Sequence, residues 1–305
     1  MSKRFPSTIL ATAVVPWDEE YHFQEDLFRQ QVRQLRDGLT PYIYLFGTAG
    51  EGYAVSEKQF DAIVAAFHDE MGAATHPMIG VVSLSLQTIV ERIERCRDKG
   101  INTFQISLPA WGTLTDREVD IFFAQTCGRF DDCQFLHYNL PRVGRVLSGD
   151  DYTRLALAHP NLVAVKFGGG GDAAFFAELL GKAPDLQFFL TEFGYATART
   201  SGDECGFLIS LAASNFVRAR EFFDARGPQL AQMAQELKLI LDAIKDAIGD
   251  RGHMDGAYDK MITKIHLPQF PLRLLPPYTS AGDLQFQAFL AGLPESWRVD
   301  DGTHT

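Results

Sequence analysis

The sequence predicts a (β/α)8 barrel, the TIM-barrel architecture, followed by a small C-terminal α-helical extension. Two observations carry this reading. Eight short, near-continuously apolar runs recur between residues 8 and 211, and stretches with helical spacing separate them. Strands buried on both faces read as unbroken apolar runs rather than alternating ones. Strands alternating with helices build a parallel sheet, and eight such units within a few hundred residues close a barrel. The rival is an open, doubly wound sheet. It usually has fewer strands, and one that binds a dinucleotide carries G-x-G-x-x-G after its first strand. Here VVPWDEE follows the first run, so that variant loses support.

The eight runs are TILATAVV (8–15), YIYLFG (42–47), MIGVVS (78–83), TFQISLP (103–109), QFLHYNLP (134–141), LVAVKFG (162–168), QFFLTEFG (187–194) and CGFLISL (205–211). Each is rich in β-branched or aromatic residues, as strands prefer. Between them, Ser56 with Gln59 and Thr115 with Glu118 have the spacing of capping boxes that open helices. Segment 85–99 sets Leu86, Ile89, Val90, Ile93 and Cys96 three or four residues apart, a stripe that faces a core. Asp37-Gly38 and Lys99-Gly100 read as helix ends, with glycine free to take the left-handed stop. Beyond residue 212 the pattern is helical over 218–249, 256–266 and 283–292, broken by Pro268, Pro271 and Pro276-Pro277. The predicted division is a barrel over 1–230 and a helical extension over 231–305.

Composition narrows the function. The 305 residues are 46% hydrophobic and 22% charged, a globular balance. No apolar run reaches the roughly 18 residues a membrane span needs, and the start, MSKRFPSTIL, does not read as a signal peptide. Lys+Arg is 28 against Asp+Glu 39, a net of −11, which argues against a nucleic-acid or anionic-membrane partner. Cys96, Cys127, Cys133 and Cys205 show no C-x-x-C pairing. Reduced thiols and a cytoplasmic location are the simpler reading. The eight histidines form no H-x-H or H-E-x-x-H pattern, so no metal site is expected.

Barrel enzymes carry their sites at the C-terminal ends of the strands. Among nine lysines, Lys166 alone lies inside a strand-like run. Burying a charged lysine among Leu162, Val163, Ala164 and Val165 is costly. Burial favours the neutral, nucleophilic amine, and such an amine condenses with a ketone to form a Schiff base. Alternation puts Lys166 on the face of Leu162 and Ala164, with Val163 and Val165 opposite. The alternative is a lysine snorkelling from a strand end. Tyr138, near the end of the fifth run, can donate and accept a proton; the alternative is a core tyrosine with a satisfied hydroxyl. Gly47-Thr48-Ala49-Gly50-Glu51-Gly52 ends the second run, and its glycines permit a tight turn whose backbone N–H groups suit a carboxylate. Thr48 adds a hydroxyl for proton relay. Arg142 and Arg145 flank the fifth-run loop, and either could hold a distal carboxylate or simply be solvated. Glu192, at the end of run seven, could bind substrate hydroxyls or be a surface carboxylate. His137 alternates with Tyr138 and is expected to pack on the helices. Gly168–Gly171 could hold a phosphate, but a loop making room for substrate fits better, since no P-loop pattern accompanies it.

GTAGEG (47–52), YNLP (138–141) and VAVK (163–166) follow runs two, five and six in that order. Together they resemble the dihydrodipicolinate synthase / N-acetylneuraminate lyase family, whose patterns are G-[TS]-T-G-E, Y-x-x-P and a strand-six lysine in an apolar run. The resemblance covers residues 7–215 and the helical tail in character. It implies a class I mechanism with no metal and no cofactor beyond a covalent imine. Lys166 would attack the 2-oxo carbon of pyruvate or another 2-oxo acid. Tyr138 would move protons, and Thr48 would help relay them. The amides of Thr48 and Ala49 would hold the substrate carboxylate, and backbone near Leu208 would face the pyruvyl group. A homo-oligomer, tetramer or dimer, is implied as well, with Trp111 a candidate interface residue.

The sequence also departs from the family pattern. Ala49 replaces the second threonine of the turn, Phe167 follows the lysine where an acidic residue is common, and Trp111 stands near the place of the synthase loop tyrosine. Arg142 follows Pro141 directly, one residue earlier than the synthase arginine. The expectation is therefore an aldolase or dehydratase for a 2-keto-3-deoxy sugar acid or a 4-hydroxy-2-oxo acid. The alternatives are 4-hydroxy-tetrahydrodipicolinate synthase proper, or a barrel that binds a 2-oxo acid without turnover.

Overall fold

The structure, a computed structural model, describes residues 2–249 and 253–299. Eight strands alternate with helices in the predicted order. They are β1 (Ile9–Thr12), α1 (Glu25–Gly38), β2 (Tyr42–Leu45), α2 (Glu57–Met71), β3 (His76–Gly80), α3 (Leu86–Arg97), β4 (Thr103–Ile106), α4 (Asp116–Gln125), β5 (Gln134–Tyr138), α5 (Gly149–Ala158), β6 (Leu162–Phe167), α6 (Ala173–Lys182), β7 (Gln187–Leu190), α7 (Glu192–Thr200) and β8 (Gly206–Leu208). Then come α8 (Phe216–Asp224), α9 (Gly227–Ile248), α10 (Gly256–His266) and α11 (Asp283–Gly292). The strands form a closed barrel in sequence order. Pairing is parallel, for example Ile9↔Phe207 between β1 and β8 and Ala11↔Ile43 between β1 and β2. This is the (β/α)8 barrel with C-terminal helices. Among the described residues, no helix is long and apolar enough to cross a membrane.

The chain packs as two compact units, Met1–Leu10 with His76–Leu208 and Ala11–Thr75 with Ile209–Thr305. In the first, β4 to β7 stack in register, so Gln105, Leu136, Ala164 and Gln187 lie level across four strands. Side chains at level positions of parallel strands share a face. On the opposite face of β5, His137 turns to α5, where Nδ1 lies 2.8 Å from the Tyr152 hydroxyl. It packs there as expected. In the second unit, Phe28 of α1 meets Phe67 of α2, and Gly292 of α11 sits where a Cβ would be 2.8 Å from Ala243 of α9.

Local sequence signals explain most helix ends. Ser56/Gln59 and Thr115/Glu118 form full capping boxes at α2 and α4. Gly100, at φ +83, ends α3 with N–H donation to Arg97 O. Gly38 does not act as the predicted left-handed stop: it is the last residue of α1, and the next, Leu39, has φ −130. The reason for glycine there is space, because a Cβ would lie 3.1 Å from the Phe216 ring. The predicted helix over 218–249 is two helices. Gly227, at φ +52, and Pro228 start α9 afresh, since proline lacks the N–H that a continuous helix needs. α9 itself runs unbroken across position 230. The strands are shorter than their apolar runs: the first spans Ile9–Thr12 within 8–15, and the last Gly206–Leu208 within 205–211.

Candidate active site

In the first unit, β5 and β6 end side by side, with Tyr138 level with Lys166. All six residues of β6 are buried, and Lys166 is 2% exposed. This excludes a lysine snorkelling to water from the strand end. The amine lies 3.9 Å from the centroid of the Tyr138 ring and donates to Gln105 Oε1 at 3.2 Å. Tyr138 is itself buried, at 8% exposure. A primary amine is thus held inside an apolar barrel between a phenol and an amide oxygen. An amine and a phenol are the two kinds of group that a carbonyl condensation uses as nucleophile and proton carrier.

Gln105 belongs to no motif in the sequence, yet it meets the amine. It is fully buried on β4, and its Nε2 has no hydrogen-bond partner among the described residues. Its signal was available: a glutamine within TFQISLP breaks an apolar run just as Lys166 breaks LVAVKFG.

The other expected residues of this unit fall around the strand ends. Leu208 closes β8, buried and level with Leu10. Glu192 opens α7 just after β7 and is 2% exposed, so it is not a surface carboxylate. Arg142 is exposed on the short 3-10 turn Pro141–Val143 that follows β5. Arg145 is committed elsewhere, donating to Leu114 O at 2.7 Å and pairing with Asp116. The glycine loop after β6 folds around aromatic rings. A Cβ at Gly169 would come within 2.4 Å of Phe167, and one at Gly171 within 2.3 Å of Phe175.

Thr48 and Ala49 belong to the second unit. Their turn is tight, with Glu51 N–H donating to Thr48 O at 3.1 Å, and Phe46 and Glu51 both at positive φ, +64 and +54. Glu51 is fully buried and anchors the turn. Its carboxylate pairs with Lys260 Nζ of α10 at 2.7 Å and accepts from Trp17 Nε1 at 2.8 Å and Leu275 N–H at 2.6 Å. Lys260 also donates to Val15 O and Arg273 O. Burial lowers the Lys260 ammonium to about 8, against the pull of the Glu51 charge. Sequence spacing could not reveal this pair, because an amphipathic helix does not say what its buried lysine meets.

Among the described residues, Asp18, Glu20 and His22 form a group of three whose ligand atoms lie within 4.8 Å of one another. Asp18 Oδ1 accepts from the backbone N–H groups of Glu20 and His22, both at 2.8 Å, so the group is already organised as a turn.

A family model for the dihydrodipicolinate synthetase family matches residues 5–187, more than half of the chain. The chain belongs to the dihydrodipicolinate synthetase family. An uncharacterized DapA-like lyase of Thermococcus onnurineus is 23% identical over 160 residues, covering 52% of this chain and 53% of that protein. The chain therefore matches only about half the length of that relative. Two solved structures share the fold. An Escherichia coli K12 prophage protein of the dihydrodipicolinic acid synthase family, in complex with pyruvate, superposes with a TM-score of 0.82 at 13% identity. The match covers 93% of this chain and 96% of that one. The N-acetylneuraminate lyase of Fusobacterium nucleatum gives 0.77 at 18% identity, over 93% and 96%. At such identities the likeness establishes the barrel and its helical tail.

Proposed function

We propose that this chain is a Schiff-base-forming lyase, an aldolase or dehydratase acting on pyruvate or a related 2-oxo acid. The carrying observation is the Lys166 amine, buried against Tyr138 and hydrogen-bonded to Gln105. Family membership supports the lyase class, and the pyruvate-bound Escherichia coli relative supports the substrate class.

The reaction balances without an external redox partner. The Nζ lone pair attacks the C2 carbonyl carbon, giving a carbinolamine. A proton from Tyr138 leaves with the hydroxyl as water, and the iminium remains. The iminium is an electron sink, so a C–C or C–O bond beside it can break or form, with Tyr138 returning as base or acid. Distal groups would fall to Arg142 and Glu192; the family resemblance, not the geometry, gives the carboxylate to the amides of Thr48 and Ala49. Backbone near Leu208 would face the pyruvyl group. No cofactor is required. A 2-keto-3-deoxy sugar acid or a 4-hydroxy-2-oxo acid is favoured over aspartate semialdehyde, because the loop after β4 carries no tyrosine and Trp111 stands near the place of the synthase one. Trp111 is 89% exposed between β4 and α4 and is the proposed contact in a homo-oligomer. A cytoplasmic location fits four free, buried cysteines.

The test is turnover of a panel of 2-oxo acids by wild type and Lys166→Ala. The expected result is turnover of at least one by wild type and none by the variant, with circular dichroism unchanged. Activity retained by a folded Lys166→Ala would overturn the proposal. Strong turnover of pyruvate with aspartate semialdehyde would instead assign the synthase reaction.

A further inference from the structure

The amine of Lys166 donates to a neutral acceptor, Gln105 Oε1, at 3.2 Å. Gln105 is on β4 and Lys166 on β6, with β5 between them, and Lys166 lies two positions further along in register. In a barrel with tilted strands, that offset puts alternate-strand residues in one layer of the interior. Gln105 is fully buried, and among the described residues its Nε2 has no partner. The amide oxygen, not the nitrogen, lies toward Nζ and accepts from it. Among the described residues the amide nitrogen extends no hydrogen-bond chain away from the lysine, so the contact that orients this buried glutamine there is the one to the amine.

We propose that Gln105 is a positioning residue for Lys166: its amide oxygen holds the amine in place and sets the pH range in which that amine is a nucleophile. The inference rests on the reading of Lys166 as the reactive lysine. A neutral amine has two N–H groups and one lone pair. Donating one N–H to Oε1 turns the lone pair away from Gln105 and restricts the rotation of a long side chain. An acceptor on the amine also favours its charged form, and a carboxylate there would favour it far more. On the adjoining strands the residues level with Lys166 are Tyr138 of β5 and Phe189 of β7. Tyr138 is the titratable one, with its ring against the amine; His137 faces the other way, to Tyr152.

The experiment compares wild type with Gln105→Met, similar in shape without the acceptor, and Gln105→Glu. Carbamylation by cyanate reads the neutral amine directly, and the mass of the Lys166 peptide is followed from neutral to alkaline pH. The expected result is opposite displacements of the midpoint. Gln105→Glu moves it up by about 1–3 pH units, and Gln105→Met moves it down. Below its midpoint the neutral fraction of an amine falls about tenfold for each pH unit. Borohydride trapping with pyruvate at neutral pH therefore falls at least about tenfold in Gln105→Glu and recovers at alkaline pH. A merely structural role would alter stability and leave both profiles in place. Carbamylation midpoints equal to wild type in both folded variants overturn the proposal; should Gln105→Glu fail to fold, Gln105→Met decides alone. Opposite midpoint displacements with no pyruvate adduct in wild type would uphold Gln105 and reject the Schiff-base reading.

Discussion

His137 makes a quantitative prediction about acid stability. The ring is fully buried, its Nδ1 is 2.8 Å from the Tyr152 hydroxyl, and its Nε2 has no partner among the described residues. Phe123 packs on it at 5.2 Å between ring centroids. Among the described residues no acidic group offsets this desolvation, so burial holds the imidazole down at about 3, against an ordinary 6.5. In the unfolded chain the same ring takes a proton as pH falls through 6.5. The folded chain refuses it until about 3. The contribution of His137 to stability is therefore complete above 6.5 and declines as pH falls from 6.5 toward 3. At pH 5 the gap is 1.5 units below the unfolded value, worth about 2 kcal/mol at about 1.4 kcal/mol per pH unit. The assay is urea unfolding at pH 7 and pH 5 for wild type and His137→Gln, which keeps a polar atom for Tyr152. Wild type should lose about 2 kcal/mol more than the variant between those pH values. His159, also lowered by burial, titrates in both proteins and cancels in the comparison. Equal losses in the two proteins would refute the reasoning, because they would mean that the ring is charged or exposed in the fold.

Three further outcomes are expected. Lys260→Met leaves the Glu51 carboxylate buried without its cation and should cost about 3–5 kcal/mol in urea unfolding, with part regained in the double variant Glu51→Gln/Lys260→Met; a loss under about 1 kcal/mol would contradict the buried pair. Tyr138→Phe should keep a trappable Lys166 but lower turnover of the substrate found by about 10²–10⁴-fold, and unchanged turnover would remove the phenol from the proton path. Burial pushes the thiols of Cys127 and Cys205 up to about 12 and that of Cys133 up to about 11, so a thiol-exchange reagent should label the native protein slowly and all four cysteines on unfolding; rapid native labelling would show an open core.

The barrel was legible because burial on both faces writes each strand as an apolar run, and because capping boxes such as Ser56/Gln59 are local hydrogen-bond patterns. Lys166 was legible for the complementary reason: a charge stands out in such a run. Gln105 carries the same contradiction without a charge, and its meaning depends on a lysine two strands away, so only the register exposes it. Gly38 looks like a left-handed stop in the sequence because glycine serves two ends, a positive φ or a close approach, and the approach of Phe216 comes from a distant helix. The break before α9 was written in Gly227-Pro228, but the helical periodicity on both sides masked it. Glu51 looked like part of a glycine turn, while its partners Lys260, Trp17 and Leu275 are set by tertiary packing.

The central claim is a covalent bond between one buried amine and a 2-oxo carbon. It is tested most directly by incubating the protein with pyruvate, reducing with borohydride and weighing the proteolytic peptides. A stable adduct is expected on the peptide containing Lys166, absent from Lys166→Ala. An adduct confined to other lysines, or none with pyruvate or any 2-oxo acid tried, would contradict it.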